Sequence, residues 1–232
     1  MAGHSFNEGA ISPLLSAWFR PLVIAGALLL SSCSHHDSLP PFTSSGYADN
    51  QGAVRIWRKD ADSDTHLLVA FSPWRGDNTT VSEYRWKGDA LTLIDVNVFG
   101  KTAEKVGIRF DARGELSFMQ HEANGQKQQL STDQIALYRV KAQQIRQTSD
   151  ALRQGHITLH QGRWRANHTI LTCEGQTVQP ALEARDLAFI ERRQGRATAD
   201  VSVAWLEAPE GVQLLMVANE DFCRWQPTKK TF

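Results

Sequence analysis

Apolar and polar residues alternate in short runs from Ala53 to about Leu130. Val54-Arg55-Ile56-Trp57-Arg58 is one such run, and Leu67 to Phe71 is a denser one. Val81 to Trp86 and Leu91 to Phe99 follow, separated by Lys87-Gly88-Asp89. Val106, Ile108 and Phe110 alternate again, as do Leu116 and Phe118. Turn residues punctuate the pattern at roughly 8–12-residue spacing: Asp60 to Asp64, Pro73 to Asn78, Ala112-Arg113-Gly114 and the hairpin pair Asn124-Gly125. Residues 53–131 are therefore expected to form an antiparallel β meander.

Residues 132–154 break the period of two. Ile135, Tyr138, Ala142, Ile145 and Leu152 recur at steps of three and four, with Ser149 completing the row. This predicts one long amphipathic helix, capped from Ser131, Thr132 or Asp133 and ended by Gly155 in the left-handed conformation. Its opposite face, with Arg139, Gln143, Arg146, Gln147 and Asp150, reads as solvent-facing. Strand-like runs resume over 155–227: Ile157 to Leu159, Trp164, Thr169 to Cys173, Leu187 to Ile190, Val201 to Leu206, Val212 to Val217 and Cys223 to Trp225. Gln176 to Ala184 reads either way; Pro180 and Leu182-Glu183-Ala184 can open a short helix. The expected fold is mainly β (α+β), with antiparallel strands in two β-rich parts joined by one long helix. The second part reads as barrel-like. The strands form either two modules or one continuous sheet system.

Ahead of the strands, Leu22 to Leu30 is an unbroken apolar run flanked by Arg20. It is about half the length that spans a bilayer and suits a signal-peptide core. A translation start near Leu14 or Leu15 would give this run a more compact lead-in. Leu30-Ser31-Ser32-Cys33 resembles a bacterial lipobox. That resemblance implies removal of residues 1–32 and acylation, with palmitate among the chains, on Cys33. Ser34 rather than Asp follows, which implies the periplasmic face of the outer membrane; an inner-membrane lipoprotein and a soluble periplasmic protein are the other readings. Ser34 to Gly52 is rich in Ser, Pro, Gly and Asn and reads as a flexible tether.

Composition narrows the partners. Removal of residues 1–32 from the 232 leaves 200, with 24 basic and 24 acidic residues. A chain of zero net charge lacks the basic footprint of a nucleic-acid binder. With Cys33 acylated, Cys173 and Cys223 remain as a pair, which in an oxidising compartment predicts a disulfide. The chain-entropy stabilisation for a loop of that length is about 4 kcal/mol. Two separate buried thiols are the alternative reading.

Candidate chemistry is sparse. His156 and His160 stand four apart, but on a strand that spacing puts them roughly 13 Å apart, too far for one metal ion. His35-His36-Asp37 lies in the tether. Asp60, Asp62 and Asp64 lack the glycine and distal glutamate of a calcium loop and read as a polar turn. His168 near Cys173 could form a nucleophilic pair only if Cys173 were not oxidised. No nucleophile elbow, phosphate-binding glycine loop or dinucleotide fingerprint is present. No catalytic residue, metal or cofactor is therefore assigned. Of the tryptophans after residue 33, Trp74 stands apart because it sits beside Arg75 in a turn-rich loop. An exposed aromatic with an arginine fits a recognition surface for a protein or glycan.

Gly162-Arg163-Trp164 resembles the Gly-x-Trp of lipocalin-like and avidin-like barrels. Cys173-Glu174-Gly175-Gln176 with Cys223 loosely resembles periplasmic lysozyme-inhibitor lipoproteins, and implies an inhibitor-like or small-ligand-binding barrel. Over its whole length, from Met1 through Cys33-Ser-His-His-Asp to Asn219-Glu220-Asp221-Phe222-Cys223-Arg224-Trp225, the chain resembles the YjaH-type family of enterobacterial proteins. That resemblance implies an envelope lipoprotein and carries no activity. The expectation is a non-enzymatic, lipid-anchored module that binds a protein or envelope component; an envelope hydrolase with dispersed residues is the remaining alternative.

Overall fold

The computed structural model describes residues 39–228 and 232. The apolar run, Cys33 and the first residues of the expected tether lie outside them. Eight strands follow one another: β1 (Phe42–Ala48), β2 (Gly52–Ala61), β3 (Asp64–Pro73), β4 (Thr79–Lys87), β5 (Ala90–Phe99), β6 (Glu104–Phe110), β7 (Leu116–Ala123) and β8 (Gln126–Gln128). They form one antiparallel sheet in chain order, the expected meander. Asn124 and Gly125 both take positive φ, 52° and 76°, as a tight two-residue hairpin requires.

Helix α1 (Thr132–Gln154) has the predicted bounds. Ser131 and Gln134 form a reciprocal capping box, with Gln134 N–H donating to Ser131 Oγ at 3.2 Å and Ser131 N–H to Gln134 Oε1 at 2.8 Å. At the other end the expectation shifts by one residue. Gly155 keeps φ −77°, and His156 takes the left-handed conformation at φ 53°. The face expected to be solvated also differs. Arg139 lies 3.9 Å from the Phe110 ring and Arg146 5.4 Å from that of Trp86. Asp150 accepts from Arg58 at 2.6 Å. The polar side of α1 thus wraps back onto the sheet through long side chains with apolar stems.

Strands β9 (Thr158–Trp164), β10 (Ile170–Thr172), β11 (Thr177–Val178), β12 (Ser202–Ala208) and β13 (Gly211–Ala218) make a second antiparallel sheet in the order β11-β10-β9-β12-β13. It is an open sheet, which corrects the barrel-like expectation for 155–227. Helix α2 (Ala184–Gln194) corrects the strand expected at Leu187 to Ile190, since those two residues are three apart on one helical face and pack with Trp164, Ile170 and Val203. Phe222–Trp225 is a turn of 3-10 helix rather than a strand.

Three apolar clusters separate four layers. Val54, Ile56, Leu67, Val69, Ile94 and Ile108 face α1. Ala53, Trp57 and Ala70, on the other face of the same strands, meet Leu159, Ala204, Leu206, Leu215 and Phe222. The far face of the second sheet, with Trp205 and Val217, is covered by α2. The order is α1, first sheet, second sheet, α2.

Strand β1 corrects the tether, which cannot extend to Gly52. Its sequence is poor in apolar residues, yet small residues are what the position demands. A Cβ on Gly46 would lie 2.6 Å from Val54 O. Ser44 Oγ donates to Leu159 O of β9 at 2.9 Å, so β1 bridges the two sheets.

Gly162 in β9 is equally constrained, because a Cβ there would sit 2.2 Å from Leu171 O and 2.7 Å from Thr172 Cα. Gly162→Ala is expected to cost about 1–3 kcal/mol of stability by overpacking against backbone. Urea unfolding checks it; an unchanged midpoint would refute the close approach.

Candidate functional site

The seam between the sheets holds a buried cation. Arg55 lies on the β2 face that carries Ala53 and Trp57, and none of its surface is exposed. Its Nη1 donates to Gln161 Oε1 of β9 at 3.2 Å, and its Nη2 to Ser72 Oγ of β3 at 2.7 Å. The guanidinium lies 4.2 Å from the centre of the Phe222 ring. Burial pushes the Arg55 pKa down to about 10, and the nearby Glu220 carboxylate opposes that fall. The group stays cationic at neutral pH. Its Nε finds no hydrogen-bond partner, which leaves one donor desolvated.

Glu220 completes the network. Its Oε2 accepts from Thr79 Oγ1 at 2.8 Å and Ser72 Oγ at 3.2 Å, and its Oε1 accepts from Trp225 Nε1 at 2.6 Å. Gln161 Nε2 donates to Phe222 O at 3.1 Å and to Gln226 Oε1 at 2.8 Å. Asp221 and the 3-10 turn are held further by Phe222 N–H donating to Ser202 Oγ at 3.2 Å. The Cys173–Cys223 disulfide, with Cα atoms 5.3 Å apart, ties the turn to the end of β10. The disulfide expected for this pair is present, and the alternative of two separate thiols is not.

This network floors a cleft of about 400 Å³ between the ends of β3, β4, β5 and β13. Ser72, Thr79 and Glu220 form the floor, and Phe99, Trp225 and Met216 supply apolar wall. The loop singled out in the sequence forms another wall, but through Pro73, Gly76 and Asp77. Trp74 and Arg75 are exposed and are not among the lining residues. Trp74 Nε1 donates to Asp49 O at 2.9 Å, so its indole clamps the β1–β2 turn while 44% of it stays exposed.

The polar groups around the cleft are engaged with one another. Both Glu220 oxygens are held by donors, and no histidine approaches Ser72 or Thr79 within hydrogen-bonding distance among the described residues. His160 and His168 are occupied with Glu207 and Glu191, at 3.4 and 2.7 Å. Cys173 is oxidised. Among the described residues no three of His, Cys, Asp and Glu could hold a metal ion.

A second cleft, about 420 Å³, opens beside Lys59, His66, Arg85 and Lys87, with Phe232 stacked on His66 at 4.0 Å. Near it, His66 Nε2 lies 2.8 Å from Glu83 Oε1, close in distance but bent in angle. That contact lowers the Glu83 pKa most; partial burial opposes it and Arg85 adds to it, leaving about 2.

Sequence reasoning missed Arg55, Ser72, Thr79 and Glu220. An arginine between Val54 and Ile56 reads as the solvated side of a strand unless the second sheet is known to cover it. The unbroken burial of Gly52 to Arg58 records cover on both faces.

Residues 44–228 match the family described as "Protein of unknown function (DUF1481)". The chain belongs to that family. A relative from Escherichia coli (strain K12), named "Uncharacterized protein YjaH", is 65% identical over 230 residues, covering 99% of this chain and all of the relative. No solved structure matches the chain. Neither description assigns an activity, so the functional reading rests on the cleft.

Two outcomes are expected. Arg55→Ala should lower stability by about 3–5 kcal/mol, because it opens a cavity and leaves Gln161 and Glu220 without their cation; Arg55→Met, which removes the charge but fills part of the space, should cost less. Denaturant titration of both variants separates the two causes: the loss they share belongs to the guanidinium and its partners, and the further loss in Arg55→Ala to the cavity; no loss in either variant would contradict a charge-centred network. Glu83 has a folded pKa below its unfolded value. Its contribution is therefore present above about 4.5 and is lost as pH falls toward about 2. In thermal melts, Glu83→Gln should flatten the acid limb between those values; an unchanged limb would remove Glu83 as its source.

Proposed function

We propose that the protein is a non-enzymatic envelope lipoprotein, anchored through acylated Cys33 on the periplasmic face of the outer membrane, whose folded part binds an envelope component in the seam cleft. The observation that carries this reading is the Cys173–Cys223 disulfide. It suits an oxidising compartment, and it braces the cleft wall that Arg224 and Trp225 supply. It accounts for two of the three cysteines in the sequence, and Cys33 is the third. The lipobox-like Leu30-Ser31-Ser32-Cys33 gives that residue a chemistry.

The cleft supports the binding half of the reading. A polar floor whose hydrogen bonds are already satisfied, with aromatic walls, holds a ligand without reorganising. The loop carrying Trp74 and Arg75 borders the cleft and adds an exposed aromatic beside it.

Palmitate labelling and cell fractionation test the anchor. The wild type should incorporate label and pellet with outer membranes, and Cys33→Ala should appear in the periplasm with an unchanged melting temperature. A wild type that takes up no palmitate, or a Cys33→Ala protein that stays in the membrane, would overturn the anchor. A photoreactive residue at Phe99 should yield a discrete adduct in living cells that the same residue at exposed Lys127 does not. Identical products at both positions would remove the cleft as the binding site.

A further inference from the structure

A narrower groove of about 260 Å³ adjoins the seam cleft and shares Arg193 and Asn219 with it. Phe189, Arg192 and Arg196 complete its lining. Arg224, from the 3-10 turn, lines the neighbouring cleft, held over the Trp225 ring at 4.5 Å and the Phe99 ring at 5.7 Å. Four exposed guanidiniums thus line two joined hollows.

Asp77 and Glu220 line the adjoining cleft with Arg193 and Arg224 but form no ion pair with them. Each nearby carboxylate is engaged elsewhere: Glu191 with His168, Asp200 with Arg165, Asp221 with Arg163, and Glu220 with Ser72, Thr79 and Trp225. Asp77 lies 3.8 Å from Lys101. No ion pair of Arg192, Arg193, Arg196 or Arg224 occurs among the described residues. The end of α2 accounts for part of this charge, since a helix C-terminus carries about half a negative elementary charge. Three guanidiniums on and just after the last turn exceed that several-fold. In a chain of zero net charge, such a concentration is local and self-repelling unless an anion enters.

We propose that the groove binds a phosphate-bearing ligand, a phosphomonoester or pyrophosphate, whose apolar or planar body rests on Phe189 or on the Phe99–Trp225 wall of the adjoining cleft. Arginine forks match phosphate oxygens bidentately, and several of them favour a group carrying more than one negative charge. Asn219 adds an uncharged amide at the junction of the two hollows. The inference names the ligand class for the cleft of the proposed function, and rests on that reading only for the ligand's location. The phosphate could belong to a lipid headgroup or to a soluble phosphate ester.

The test uses the full chain carrying Cys33→Ala, so that no acyl chain inserts into lipid and the outcome is independent of the anchor. Calorimetric titration with inorganic pyrophosphate, and sedimentation with phosphatidylcholine vesicles with and without phosphatidylglycerol, distinguish the two sources. Replacing Arg192, Arg193 and Arg196 together by alanine should weaken whichever interaction is found by at least about tenfold, with an unchanged melting temperature because all three are exposed. Lys127→Ala, at the exposed position away from both hollows, should leave it unaltered. Binding of pyrophosphate lost in the triple variant assigns the groove to soluble phosphates; binding of phosphatidylglycerol vesicles alone, lost in the same variant, assigns it to headgroups. A parent protein that binds neither probe, or a triple variant that binds as the parent does, overturns the proposal. In that event a discrete Phe99 adduct would still leave the cleft reading standing.

Discussion

The buried Arg55 guanidinium organises the interface between the two sheets. A charge removed from water costs several kcal/mol unless its donors are met, and here the two terminal nitrogens are met, one from each sheet, while Nε is left without a partner. Ser72 comes from the first sheet and Gln161 from the second, while Phe222 covers the planar face. An apolar interface could slide by a residue at small cost. An arginine whose donors must meet two particular acceptors cannot. The register between the sheets, the placement of the 3-10 turn and the depth of the cleft follow from that one demand.

The same demand explains what could be read in the sequence and what could not. Elements with one buried face were legible. The bounds of α1 follow from a stripe at steps of three and four and a capping serine, and the meander follows from alternation and Asn124-Gly125. Elements covered on both sides, or joined by close backbone contact, were not. β1 is built of Thr, Ser and Gly because Gly46 must admit Val54 O and Ser44 must reach β9, and those residue types otherwise mark loops. α2 carries three arginines and presents only Leu187 and Ile190 inward, too few to announce a helical period. The cleft was least legible, since Arg55, Ser72, Thr79 and Glu220 are scattered over 166 positions and converge only in three dimensions.

Membership of a family of unknown function shifts the burden of argument to the geometry. Two kinds of surface meet at the seam. One is an internally satisfied polar floor, and the other is a cluster of arginines that forms no ion pair among the described residues. The first gives shape that does not depend on a ligand; the second gives a sign of charge.

The disulfide has a consequence for the order in which the site comes into being. A chain made or moved with its N-terminus leading presents Arg55, Ser72 and Thr79 long before Glu220, Cys223 and Trp225. The meander can pair strand by strand as it emerges, since each strand neighbours the one before it. The cleft cannot, because its far wall and the second half of its covalent brace come about 150 residues later than Arg55 and Ser72, counted along the chain. Until then Arg55 has neither Gln161 nor Phe222, and the half-built sheet exposes a charged strand interior. Completion of the cleft and burial of that charge therefore both wait for the second sheet and the 3-10 turn, so a chain truncated before Gln161 would lack both.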